Sequence, residues 1–124
     1  MEKKKILIVD DEESFTHMVK LNLEATGKYE VREENRGLFA LDTAKAYDPD
    51  LILLDIIMPD KDGTEVAAEL KEDKATKGIP VMFLTVVVRK QETDGACSII
   101  GGRPFIAKPV SIKELTECVE RYIR

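Results

Sequence analysis

The chain predicts a doubly wound α/β fold: a five-stranded parallel sheet in the order 2-1-3-4-5, with helices on both faces. Three observations carry this. Short apolar, β-favouring runs recur five times along the 124 residues. Stretches with helical spacing of apolar residues separate them. The connections are short, and such alternation forces parallel strands joined by right-handed crossovers. The middle run, Leu51-Ile52-Leu53-Leu54-Asp55, is the clearest. It is too short for a helix, is punctuated by Pro49-Asp50 before and by Pro59 and Gly63 after, and reads as a strand buried on both faces.

Taken in order, Lys5 to Asp10 is an apolar run ending in acid, a first buried strand. Asp10 opens a run of four acids, Asp10 to Glu13, and Ser14 follows. Phe15, Met18, Val19 and Leu23 then share one helical face, and Gly27 is a candidate C-cap. Tyr29 to Glu34 is polar enough for an edge strand. Asn35-Arg36-Gly37 turns into a helix with Leu38, Leu41 and Ala44 inward, closed by Asp48-Pro49. The third strand is Asp50 to Asp55. Thr64 caps a helix carrying Val66, Ala67 and Leu70. Lys77 to Pro80 is a loop and Val81 to Thr85 the fourth strand. Residues 89–98 read as a short helix disturbed by Gly95. Gly101-Gly102 turns into a fifth strand, Pro104 to Lys108. Ser111 with Glu114 forms a capping box for a last helix that buries Ile112, Leu115, Val119, Tyr122 and Ile123.

Residues 1–124 suit one domain. Hydrophobic residues at 44% allow a real core, and the net charge of −5 argues against a grip on nucleic acid, which needs Lys and Arg to neutralise phosphates. No apolar run approaches a membrane span. The opening run of four apolar residues ends in acid and is no signal peptide, so the expected compartment is the cytoplasm. Cys97 and Cys118 lack metal-ligand spacing and read as free thiols.

Function is written at the strand ends. Strand one supplies Asp10 and Asp11, strand three Asp55, strand four Thr85 and strand five Lys108. A parallel sheet brings all five to its carboxyl edge, where ligands of such sheets bind. Three carboxylates in one cleft repel one another unless a cation sits among them. Oxygen ligands without His or Cys suit Mg²⁺. With Lys108 and the Thr85 hydroxyl nearby, the natural chemistry is phosphoryl transfer to Asp55 as nucleophile.

These residues resemble the receiver domain of two-component response regulators, including the single-domain chemotaxis type. Leu54-Asp55-Ile56-Ile57-Met58-Pro59-Asp60-Lys61-Asp62-Gly63 is similar to the family's LDxxMPxxDG signature, and Asp10-Asp11, Thr85 and Lys108-Pro109 stand at its other expected places. The resemblance implies the flavodoxin-like receiver fold and Asp55 as phosphoacceptor. It implies Mg²⁺ bound by Asp11, Asp55 and the backbone carbonyl of Ile57, with Asp10 acting mostly through water. It implies Lys108 on a phosphoryl oxygen, and Thr85 and Phe105 as the switch pair that alters the face of the fourth helix, fifth strand and last helix. The implied partners are a histidine kinase or phosphotransfer protein, a downstream effector protein or domain, and a second copy of the chain on phosphorylation. Such a module catalyses only its own phosphorylation and dephosphorylation.

The chain departs from the pattern at Val86, where relatives carry a smaller residue, and at Lys61, which reads as a change of loop surface. Ile57 and Val87 are apolar where a side chain could orient the attacking water, which points to a slowly hydrolysing acyl phosphate. His17, among polar neighbours, reads as exposed, and Met58 as packed under its loop. Three other functions compete. A degenerate receiver, used only for docking or dimerisation, is opposed by the intact five residues. An aspartyl phosphatase would resemble Asp-x-Asp after strand one. A flavin binder needs a phosphate cradle where Asp10-Asp11-Glu12-Glu13 would repel phosphate.

Overall fold

The structure is a computed structural model and describes residues 3–85, 97–100, 103–107 and 111–124. The elements are β1 (Lys4–Val9), α1 (Glu13–Ala25), β2 (Tyr29–Glu34), a 3₁₀ turn (Gly37–Phe39), α2 (Ala40–Tyr47), β3 (Leu51–Asp55), α3 (Gly63–Glu72), β4 (Val81–Thr85), β5 (Cys97–Ile100), β6 (Arg103–Ala107) and α4 (Ile112–Tyr122). They form one sheet in the order β2-β1-β3-β4-β6-β5. The polar β2 takes the edge, and β1, β3, β4 and β6 run parallel beyond it. This is the expected parallel α/β receiver fold.

Alternation along the strands divides the core in two, because successive side chains point to opposite faces. Ile6, Ile8, Leu51, Leu53, Met82, Leu84 and Ile106 pack with Val19 and Leu23 of α1 and Leu115 and Val119 of α4. Leu7, Val9, Ile52, Leu54, Val81 and Phe83 pack with Ala40 and Ala44 of α2 and Val66 and Leu70 of α3. All five residues of β3 are buried, as a central strand covered on both faces requires.

Several local expectations hold. Gly27 follows α1 at φ +78° and donates to the Glu24 carbonyl, the left-handed stop for which glycine is suited. Ser111 and Glu114 make the reciprocal capping box of α4. Met58 and Cys118 are buried.

Others are corrected. Cys97 and Ser98 are strand, not helix: β5 pairs antiparallel with β6, so the sheet has six strands and is not wholly parallel. The remainder of the expected helix, residues 89–96, lies outside the described residues. The last parallel strand starts at Arg103 and ends at Ala107. Leu38 does not face inward; it lies in the 3₁₀ turn, exposed, and Ala40 takes the buried place. Asp62 rather than Thr64 caps α3, its side chain accepting from the Thr64 N–H. Lys61 is no simple surface change, for its side chain is only 18% exposed and pairs with Glu69. Among the described residues no helix is long and apolar enough to cross a membrane.

Candidate functional site: an acidic cluster at the carboxyl edge

Asp10 follows β1 and Asp55 ends β3, two strands paired directly through Val9 and Leu54. The ends of these two strands therefore arrive side by side. Asp10 is fully buried, Asp55 is 7% exposed, and Asp11 is exposed at the mouth. The three carboxylates offer oxygen atoms that all lie within 4.8 Å of one another. Like charges so close in a largely buried place repel one another unless something positive offsets them.

The donor set fits a small hard cation. It is all oxygen, it carries up to three negative charges, and its span is near the roughly 4 Å that separates opposite ligands of Mg²⁺. One carboxylate faces solvent, which leaves room for retained water. Asp10, Asp11 and Asp55 are thus positioned to coordinate a divalent metal, as in a Mg²⁺-binding receiver.

The loop after Asp55 is built to hold that residue still. The Gly63 N–H donates to the Ile56 carbonyl at 2.7 Å. A Cβ at Gly63 would stand 2.1 Å from the Asp55 carbonyl oxygen and 2.7 Å from the Ile56 Cα. Only a residue without a side chain lets the start of α3 press on the end of β3. Asp60 ties the same loop to the 3₁₀ turn, accepting from the N–H groups of Leu38 at 3.0 Å and Gly37 at 3.3 Å. The Leu38 N–H leads in holding the Asp60 carboxyl below the usual carboxylate range, with Gly37 adding to it. Ile57, two residues after Asp55, is 59% exposed.

Sequence reasoning missed two residues behind the cluster. The Asn35 amide donates to the Asp10 carbonyl at 2.8 Å and to the Thr16 Oγ1 at 2.9 Å, and Thr16 is fully buried. The signal for Thr16 was its spacing, since Thr16, Val19 and Leu23 form the buried stripe of α1. His17 is exposed, with its Nδ1 3.5 Å from Glu33 Oε2.

Of the other expected site residues, Thr85 ends β4 and pairs in register with Ala107, one residue before Lys108. The side chains of Thr85 and Phe105, and all of Val86, Val87, Lys108 and Pro109, lie outside the described residues.

A parallel α/β sheet with buried acids gathered at its carboxyl edge defines a phosphoacceptor signalling module of the receiver type. The model of the response regulator receiver domain matches residues 6–120, and the chain belongs to that family. It is 35% identical over 124 residues to the polar-differentiation response regulator DivK of Brucella abortus, covering 97% of this chain and 96% of that protein. It is 37% identical over 122 residues to the alkaline phosphatase synthesis transcriptional regulatory protein PhoP of Bacillus subtilis, covering 98% of this chain and 49% of that protein. Among solved structures it is similar to chemotaxis protein CheY4 of Vibrio cholerae, with a TM-score of 0.83, 29% identity, and coverage of 98% and 100% of the two chains. Receiver domains take on and lose a phosphoryl group themselves and do not turn over external substrates.

Proposed function

We propose that residues 1–124 form a single receiver domain in which Asp55 accepts a phosphoryl group from a phosphohistidine of a histidine kinase or phosphotransfer protein. One observation carries the reading: Asp55, at the end of a wholly buried strand, has its carboxylate among those of Asp10 and Asp11. In the transfer, an Asp55 carboxylate oxygen bonds to phosphorus as the phosphorus–nitrogen bond to the donor imidazole breaks, and the imidazole leaves with that electron pair. Bound Mg²⁺ supplies charge neutralisation for the phosphoryl oxygens. Asp10, Asp11, Asp55 and the Ile57 carbonyl are the proposed metal ligands, with Asp10 acting mostly through water.

Lys108 is assigned to a phosphoryl oxygen and Thr85 to a second one. The pairing of β4 with β6 supports this, because it sets the strand leading to Lys108 beside the strand of Thr85, in the order 2-1-3-4-5 for the parallel strands. Thr85 and Phe105 are the proposed switch pair. A phosphate adds about −1.5 to −2 charge and three acceptor oxygens, enough to bias two packings only through contacts that differ between them. The changed face would meet a downstream effector or a second copy of the chain. A cytoplasmic location and freedom from nucleic-acid contact follow from the same reading. The exposed, apolar Ile57 cannot orient the attacking water, which favours a long-lived acyl phosphate; Ile57→Glu should change the lifetime, and an unchanged one would count against this point.

The test is intact-mass spectrometry after incubation with Mg²⁺ and a small phosphodonor. The wild type should gain one phosphoryl group, and Asp55→Ala none. Equal labelling of both would overturn the assignment.

A further inference from the structure

We propose that Asn35, itself held by Thr16, is a positioning residue for the divalent-cation site: its amide fixes the Asp10–Asp11 peptide and so sets where the Asp11 carboxylate stands. The proposal rests on the metal reading of the three acids.

Asp10 is anchored to the end of β2 from both sides. Its N–H donates to the Glu34 carbonyl at 3.1 Å, and its carbonyl accepts from Asn35 Nδ2 at 2.8 Å. A peptide group is planar, so a carbonyl held in place also fixes the N–H and Cα of the next residue. That residue is Asp11, the exposed member of the cluster. The Asp10 carboxylate is held as well, its Oδ1 accepting from the Glu12 N–H at 3.0 Å.

The Asn35 amide orientation is determined by its neighbours. The Asp10 carbonyl can only accept, so nitrogen must face it, and the second hydrogen of that nitrogen goes to Thr16 Oγ1 at 2.9 Å. Both donors of the amide are therefore engaged. Thr16 Oγ1 stands 2.7 Å from Glu33 Oε1 and 3.1 Å from the Glu13 carbonyl, so its own hydrogen has a charged acceptor. Thr16 is fully buried on the inner stripe of α1. The result is a chain of donors, Thr16 to Glu33 and Asn35 to Thr16 and Asp10, that ties the start of α1 and the end of β2 to the acidic turn.

Such a brace matters because the cluster pushes itself apart. Three carboxylates within 4.8 Å repel, and the exposed Asp11 on a turn is the member with most freedom to swing away. Groups behind metal ligands that fix their orientation commonly alter metal affinity by about 10- to 100-fold when removed.

The test is titration of the full chain with Mg²⁺, read by calorimetry and by the amide resonances of Asp11 and Asp55. Asn35→Leu matches the side chain in size and donates nothing; its Mg²⁺ Kd should rise about tenfold or more. Thr16→Val should weaken Mg²⁺ in the same direction, and Thr16→Ser, which keeps the hydroxyl, should restore binding to within about twofold of wild type. Phosphorylation of Asn35→Leu by a small donor should recover at saturating Mg²⁺. Arg124→Ala, at the opposite edge of the sheet, controls for lost stability and should leave the Kd unchanged. An unchanged Kd in Asn35→Leu, equal damage in Thr16→Ser and Thr16→Val, or equal weakening in Arg124→Ala would overturn the proposal. A wild type that binds no Mg²⁺ would overturn the metal reading itself and this proposal with it.

Discussion

The two edges of the sheet arrange the same residue type differently. At the carboxyl edge, Asp10, Asp11 and Asp55 turn their oxygens toward one another. At the amino edge, acids meet donors and cations supplied by the chain itself. Asp50 Oδ2 accepts from the Lys5 N–H at 2.9 Å, and its Oδ1 lies 3.4 Å from Arg124 Nε. Asp48 Oδ1 pairs with Arg124 Nη2 at 3.2 Å, and Lys4 Nζ donates to the Arg124 carbonyl at 2.8 Å. Asp48 even adopts φ 51°, a left-handed conformation that non-glycine residues rarely take, while its carboxylate reaches that arginine. Acids matched with internal cations fasten a fold. Acids gathered within 4.8 Å of one another suit a cation from outside.

Gly63→Ala puts a methyl carbon against the Asp55 carbonyl, and should cost about 3 kcal/mol in denaturant unfolding while slowing phosphorylation through displacement of Asp55. At the other edge, Asp50→Ala should cost about 2 kcal/mol, because the Lys5 N–H is half-buried and loses a charged acceptor. It should leave Mg²⁺ affinity alone. Arg124→Ala should cost about 1 kcal/mol or less, since its ion pairs are solvent-screened. The smallest effect concerns Asp60. Its pKa is lowered in the fold, so it contributes stability above the ordinary carboxylate pKa and loses it as pH falls. The stability gap between wild type and Asp60→Asn should be widest above about pH 5 and shrink progressively as pH falls below about 4 through the lowered pKa of Asp60, as followed by urea titrations across pH.

The same contrast explains what the sequence made legible. Burial of β3 and the meeting of the three acids could be read because apolar runs and strand ends are local signals that a parallel sheet converts into one site. The exposed Leu38 shows where apolar spacing misleads, since a 3₁₀ turn shifts the phase before α2 begins. The antiparallel β5 had a signal that strand–helix alternation overrode: two residues, Gly101-Gly102, separate its end from the start of β6, which is hairpin spacing. Thr16 and Asn35 were hidden for another reason. The spacing of Thr16 places it on the buried stripe, but what it and Asn35 hold shows only once their partners, Glu33 and the Asp10 carbonyl, are known. Those partners come from β2 and the turn after β1, brought together only by the sheet.

Mg²⁺ titration of Asp11→Asn beside Asp50→Asn tests the central claim most directly, because each variant removes one negative charge from one edge. Wild type and Asp50→Asn should bind alike, and Asp11→Asn about tenfold or more weakly. Equal weakening in both, or wild-type affinity in Asp11→Asn, would contradict that claim.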